Sequence, residues 1–432
     1  MVSKSFALPE HELRHALNDE VHSRPPVRLA GRQQVVFLAV RHAPTDRAAH
    51  REVLAGAAMA AGCPVAPGVD HAVVALTGGL KFKWEGHAEF ASYTFFSEAA
   101  GELDPAAILA RAGWAAMAAS MPGEVIVAIA IDLVPFPGDA PPADAFRSEG
   151  DTVVGGAVAE GRGWGYTDFR IREDGFTRFL LLNRKMGLGQ AGRIVQRLLE
   201  VETYRMMALT AFPVARQATP ALGTMETELA AIVERIAGAT PQDEAKLLDD
   251  LTHLAARVEH LQSATRFRFE AADAYDAIVM RRLAELREVR IPGLSTIEEF
   301  LHRRLAPAMA TCRSTSRRIA NLAERVTRAS ALLRTRVDIE REQQNQKVLE
   351  AMNRRGRLQL RLQQTVEGLS VVVITYYGVS LVGVLAKAAK AAGLGGDPEV
   401  VMGVAIPIVA AAVFAGVRRV RRALESEEGA LS

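Results

Sequence analysis

A chain of 432 residues is long enough for two or three domains, and its 52 Lys and Arg stand almost level with 50 Asp and Glu. That balance excludes a general nucleic-acid binder, which carries a clear basic excess. Two distant cysteines, Cys63 and Cys312, exclude a disulfide framework and a zinc knuckle and fit a reducing compartment.

The opening residues, MVSKSFALPEHELRH, contain no apolar run, so no cleavable signal peptide is expected. His11-Glu12-Leu13-Arg14-His15 is a literal H-E-x-x-H. On a helix, imidazoles at i and i+4 can hold zinc with Glu12 as general base, and His22 or Glu20 can add a third ligand. Zincin helices are long and lie beneath a cleft, whereas this stretch is short and ends near Arg24-Pro25-Pro26. The expectation is therefore no metal at His11, His15 or His22 and no catalytic residue.

As far as about Thr210, short β-rich runs alternate with Gly/Pro turns and alanine-rich helices. Strands are expected at 34–40, 72–76, 91–96, 125–131, 152–158, 167–171 and 176–182, and helices at 46–61, 105–119 and 190–209. Short turns such as Glu173-Asp174-Gly175 favour a mixed α/β sheet over a doubly wound one. The stretch 81–90 (KFKWEGHAEF) interleaves charge with aromatics. Lys83, His87 and Glu89 can face a ligand there; the plainer reading is a strand–turn–strand whose aromatics pack inward. Gly187-Leu-Gly189-Gln-Ala-Gly192 is a literal G-x-G-x-x-G between a strand and a helix. No second strand ending in an acidic residue follows it, so a tight turn before a helix is expected in place of a dinucleotide site.

The middle of the chain is helical in pattern. Leu229, Ile232, Val233 and Ile236 share one face over 224–237, and Leu247, Leu251, Leu254, Val258 and Leu261 follow a heptad-like spacing within 241–290. Ser295-Thr296-Ile297-Glu298 reads as a capping box opening a longer helix, with Pro307 expected to kink it. Leu322, Val326, Ala329, Leu333 and Val337 give that helix an apolar face, and 341–347 (REQQNQK) is wholly polar.

Leu369 to Ala386 and Val400 to Val417 are each 18 residues without a charge. At 1.5 Å per residue each covers about 27 Å, close to a hydrocarbon core of roughly 30 Å. Arg354, Arg355, Arg357 and Arg361 precede the first, and Arg418, Arg419, Arg421 and Arg422 follow the second, while the loop between holds only Lys387 and Lys390. This asymmetry sets both termini in the cytoplasm. Gly403, Pro407, Ala411 and Ala415 recur every four residues, a stripe on which another helix can pack closely. Ser370, Thr375, Tyr376, Tyr377 and Ser380 are expected to hydrogen-bond a neighbouring helix.

Residues 18–26 (NDEVHSRPP), 84–90 (WEGHAEF) and 341–387 together resemble an uncharacterised family of bacterial membrane-anchored proteins, domain-of-unknown-function family 3422. The resemblance spans essentially the whole chain and implies an inner-membrane protein with no assigned activity. The architecture is also similar to CorA-type channels, which implies a homo-oligomer and an ion path. Those channels end the first span with Gly-Met-Asn; here the span ends Val384-Leu385-Ala386-Lys387, and Lys387 would repel a divalent cation.

The expected fold is α+β. It comprises an N-terminal mixed α/β sheet domain (1–213), a helical stalk or coiled-coil region (220–366), a transmembrane hairpin (367–418, spans 369–386 and 400–417) and a cytoplasmic tail (419–432). The expected function is a multi-pass, oligomeric binding or scaffold protein of the inner membrane that is not an enzyme. Its partners are the lipid bilayer and further copies of itself, with no nucleic acid; no cofactor is assigned. A divergent CorA-like cation transporter is the alternative, and a zinc metallohydrolase a distant one.

Overall fold

Gln33–Arg41 (β1, QQVVFLAVR) is apolar on both sides of its pleat, and in the computed structural model it lies inside a mixed sheet with eight of its nine residues buried. The structure describes residues 10–22, 25–98, 101–140, 145–148, 152–240, 242–393 and 397–428. The chain divides into two compact units, Met1–Gly238 with Ala245–Ser330, and Ala239–Glu244 with Ala331–Ser432. The boundary expected at 213–220 falls inside one helix, Ala211–Gly238.

In the first unit β1 is joined by His71–Ala75 (β2), Leu80–Gly86 (β3), Phe90–Ser97 (β4), Glu124–Pro135 (β5), Val154–Val158 (β6), Gly163–Ile171 (β7), Thr177–Asn183 (β8) and Val289–Arg290 (β9). Among the described residues the order is β2-β3-β4-β1-β5-β8-β7-β6-β9. Among the described strands only β5 and β8 pair parallel, so the sheet is mixed, as the short turns implied.

Alternation along each strand sends side chains to opposite faces. Val36, Leu38 and Val40 of β1, Phe82 and Trp84 of β3 and Tyr93 and Phe95 of β4 form a core with Val53 and Leu54 of Arg47–Ala60 (α2) and Ile108 of Pro105–Arg111 (α3). Phe82 stacks on Phe95 at 5.1 Å, and Trp114, opening Trp114–Ala119 (α4), meets Tyr93 edge-on at 5.2 Å. Phe82, Phe95 and Tyr93 are fully buried, and rings buried this way contribute roughly 1.5–3 kcal/mol each. The single helix expected over 105–119 is two, because Gly113 takes a left-handed φ of +70° between them.

Leu188–Leu209 (α5) lies over the opposite face and packs on β5, burying Ile194, Val195, Leu198 and Val201. Three helices follow: Ala211–Gly238 (α6), Glu244–Leu286 (α7) and the long Ile297–Ala391 (α8). α6 starts thirteen residues before the expected 224 and runs through Pro213 and Pro220. Pro213 sits in the first turn, where a missing N–H costs nothing. Leu247, Leu251, Leu254 and Val258 are buried, as their spacing predicts. Arg257 reaches Glu228 at 2.7 Å, Arg318 grips Glu226 at 2.7 and 3.1 Å, and Arg313 meets Asp273 at 2.9 Å, linking α6, α7 and α8.

The box that opens α8 is shifted one residue from the expected Ser295–Glu298. The Thr296 hydroxyl accepts the Glu299 N–H at 3.0 Å, and the Glu299 carboxylate accepts the Thr296 N–H at 3.2 Å. Glu288 adds a second cap, accepting the N–H groups of Ile297 and Glu298 at 3.0 and 3.3 Å. α8 continues unbroken through Pro307.

In the second unit residues 341–366 of α8 are exposed, including the polar 341–347 and Arg354, Arg355, Arg357 and Arg361. The rest of α8 and Pro398–Glu428 (α9) contain two stretches long and apolar enough to cross a membrane. Gly378 and Gly383 of α8 are their contact points. A Cβ on Gly378 would meet Val409 Cγ1 at 2.8 Å, and one on Gly383 would overlap Met402 Sδ. The small residues that close the hairpin are thus on the first stretch. Gly403, Pro407, Ala411 and Ala415 are all exposed, as are Arg418 and Arg419, while the side chains of Arg421 and Arg422 lie outside the described residues. Ser370 and Thr375 donate to the carbonyls of Val366 and Val371 in their own helix, at 2.8 and 2.7 Å, and not across to a neighbour.

Candidate functional site

β4 reads FASYTFFS, and all eight residues are buried. Its aromatics Tyr93 and Phe95 fill the core, so Ser92 and Thr94 between them point to the opposite face with Phe90 and Phe96. β3 adds Lys83 and Glu85 to that face in register, Lys83 opposite Thr94 and Glu85 opposite Ser92. From above, α5 brings Gln196, Glu200 and Thr203, at i, i+4 and i+7, over the same spot. Between them lies a cavity of about 240 Å³, walled also by Phe37, Val195, Leu199 and Arg282.

This chamber holds charge where charge is costly. Lys83 is 4% exposed and lies 3.0 Å from the Glu85 carboxylate. Arg282 of α7 pairs with Glu200 and donates to Glu285 at 2.9 Å, and Gln196 Nε2 donates to Glu200 at 2.8 Å. Thr203 donates back to the Leu199 carbonyl at 2.8 Å. Two polar atoms have no protein partner: Ser92 Oγ and Gln196 Oε1 are buried and unpaired. Buried polar groups are nearly always satisfied, so water or a bound molecule in the cavity completes these two oxygens.

His87 stacks on Phe90 at 4.2 Å at one side of the chamber. Glu89 turns away: it accepts from Tyr275 Oη at 2.6 Å and pairs with Arg268. Burial alone would raise the Glu89 carboxyl, but those two hydrogen bonds and the Arg268 charge bring it below its ordinary value. Of the three residues offered by the 81–90 stretch, Lys83 and His87 line the cavity and Glu89 does not. Phe82 and Trp84 pack inward, as the strand–turn–strand reading has it.

The G-x-G-x-x-G run belongs to the same construction. Gly187 precedes α5, and Gly192 lies where the segment 25–30 crosses the helix. A Cβ on Gly192 would overlap the Val27 carbonyl oxygen, and Leu29 N–H donates to the Leu188 carbonyl at 3.1 Å. The third glycine admits a crossing backbone that forms one end of the chamber, which is a packing role.

His11 and Glu12 precede Arg14–His22 (α1), so the H-E-x-x-H straddles a helix start and does not present two histidines on one turn. His11 Nδ1 accepts the Leu13 N–H at 3.1 Å, and His15 Nε2 lies 3.1 Å from Glu10. The His22 side chain is outside the described residues. Among the described residues no group of three His, Cys, Asp or Glu side chains converges on a point that a metal ion could occupy.

Residues 9–424 match the model of a protein family of unknown function, DUF3422. The chain belongs to the DUF3422 family. Nothing among the curated proteins matches it, and no solved structure does. Within the DUF3422 fold one of the stretches that carried the resemblance, 84–90, places Glu85, His87 and Phe90 at the cavity, and Val27, just beyond the 18–26 stretch, lines it too. Ser92, Gln196, Glu200 and Arg282 were not singled out from sequence. For Ser92 the signal was polar residues alternating with aromatics in β4, and for Gln196 and Glu200 a polar stripe on α5; Arg282 reaches the site from α7.

Proposed function

We propose that this chain is a membrane-anchored binding protein. One unit holds a small molecule, two spans tether it to the inner membrane with both termini in the cytoplasm, and the chain works as a homo-oligomer without chemistry of its own. The observation that carries this reading is the cavity between the sheet and α5, with two ion pairs and two unpaired polar atoms in its wall. An enclosed concavity in which polar groups converge beside aromatic side chains is a common form of ligand site.

The anchor and its orientation rest on Arg354, Arg355, Arg357, Arg361, Arg418, Arg419, Arg421 and Arg422 set against two lysines in the loop. Self-association rests on the exposed stripe Gly403, Pro407, Ala411 and Ala415, which is left over once Gly378 and Gly383 have closed the hairpin. A CorA-like cation transporter is the second reading, favoured by one feature: the first span is the C-terminal part of a single helix of 95 residues.

Equilibrium dialysis of the full-length protein in mild detergent against a metabolite extract tests the binding role. Enrichment of a small compound on the protein side, reduced by Ser92→Ala, is expected. Identical composition on both sides would overturn the role.

A further inference from the structure

The chemistry of the chamber narrows the class of molecule it takes, an inference that rests on the binding role above. Its wall carries two cations, Lys83 and Arg282, and two anions, Glu85 and Glu200, each cation against an anion. A ligand with net charge would bring an uncompensated charge into a site that is largely enclosed by protein and already balanced. A neutral apolar ligand would strip water from four ions and give nothing back. A molecule with one cationic and one anionic end replaces lost water at both signs, its carboxylate against Lys83 or Arg282 and its ammonium against Glu85 or Glu200.

Two further observations point the same way. Ser92 Oγ and Gln196 Oε1 are unpaired, and the Gln196 oxygen can accept only. An ammonium group supplies three donors, enough to satisfy both oxygens as well as a carboxylate. Phe37, Phe90, Phe96, Val195 and Leu199 supply an apolar part of the lining beside Thr94, Thr203, His87 and Tyr204. At about 240 Å³ the space lies below the roughly 300–1,000 Å³ of sites for drug-sized ligands. We propose that the cavity between β3, β4 and α5 binds a small zwitterion of the amino-acid class with an apolar side chain. Its ammonium is held by Ser92, Gln196 and the flanking carboxylates, its carboxylate by Lys83 or Arg282, and its side chain by the phenylalanines.

The test uses the full-length protein in mild detergent and follows unfolding by tryptophan fluorescence. Trp84, Trp114 and Trp164 all lie in the first unit, so the signal reports the unit that holds the cavity. The probes are the free apolar amino acids leucine, isoleucine, valine, methionine and phenylalanine, each beside its amide, which lacks the anion, and its des-amino acid, which lacks the cation. At least one free amino acid should raise the melting temperature by roughly 2 °C or more at saturation, with neither analogue matching it. No rise with any of the five, or an equal rise with an amide or des-amino acid, would overturn the assignment.

Ser92→Ala supplies the second arm. The hydroxyl has no protein partner, so the variant should melt no lower than the parent when empty, yet bind the responding amino acid about 2- to 10-fold more weakly. Unchanged affinity would remove Ser92 from the site and the ammonium placement with it. A dialysis enrichment of a compound that is not a zwitterion would overturn this inference and leave the binding role standing, whereas no enrichment at all would remove the role itself.

Discussion

Lys83 and Glu85 sit two residues apart on one face of a buried strand, 3.0 Å from each other, beside a cavity and beneath a helix. Removing one member strands the other. Lys83→Met should cost the first unit about 3–5 kcal/mol, while the double change Lys83→Met with Glu85→Gln should recover most of it. Chemical denaturation followed by tryptophan fluorescence measures both. Equal losses in the single and double variants would show that the lysine stem, and not the charge, is what matters.

His50 predicts a pH dependence. It is fully buried, pairs with Tyr93 Oη at 2.7 Å and lies against His42, the two rings tilted with centres 4.3 Å apart. Burial first, and then His42, lowers its pKa from 6.5 to about 4. The unfolded chain therefore holds the extra proton between those values. Stability from this site is fully present above pH 6.5 and is lost as the pH falls through about 4, roughly 3 kcal/mol in all. Glu288 works in the opposite sense: burial raises it from 4.5 to about 6, so its contribution is present below pH 4.5 and lost as the pH rises through 6. His50→Gln should flatten the acid side of the melting curve. An acid slope unchanged in that variant would place the proton uptake elsewhere.

Gly192 and Gly189 should respond oppositely to alanine. At Gly192 the added methyl overlaps the Val27 carbonyl, and about 1–3 kcal/mol of destabilisation is expected. At Gly189 the nearest atom, on the flexible Arg193 side chain, is 3.5 Å away, and alanine in a helix should gain about 0.5–1 kcal/mol. Thermal melts of the two variants decide it. Equal effects would argue against the crossing backbone.

In the second unit Gly383→Leu should disrupt the contact with Met402 and loosen the hairpin itself. Ala411→Leu, on the exposed stripe, should leave the hairpin intact and shift the oligomer toward smaller species. Light scattering in mild detergent separates the two. A strict monomer across concentrations for the parent would remove the oligomer.

Much of the fold could be read from sequence because its signals are local and periodic. The run QQVVFLAVR is a strand on any reading, and the heptad spacing from Leu247 to Val258 places a helix face correctly. The errors have physical causes. The helix expected from 224 begins at Ala211 because Pro213 falls in its first turn, where proline is tolerated, and the cap at Thr296 is completed by Glu288, which precedes it across a turn. The cavity was half visible: Lys83 and His87 stood out as charge among aromatics. Ser92 and Gln196 did not, because an unpaired oxygen is defined by what surrounds it in space, and Arg282 reaches the site from α7, far along the chain.

The claim on which the rest depends is that the sheet unit is held at the cytoplasmic face by two spans, and reporter topology tests it directly. Alkaline phosphatase, active only outside the cytoplasm, is fused at Gly395 in the loop or after Ser432 at the end, and activity is read in intact cells. The arginine asymmetry predicts an active fusion at Gly395 and an inactive one after Ser432. Activity after Ser432 with silence at Gly395 would contradict the orientation, and silence at both would contradict the spans.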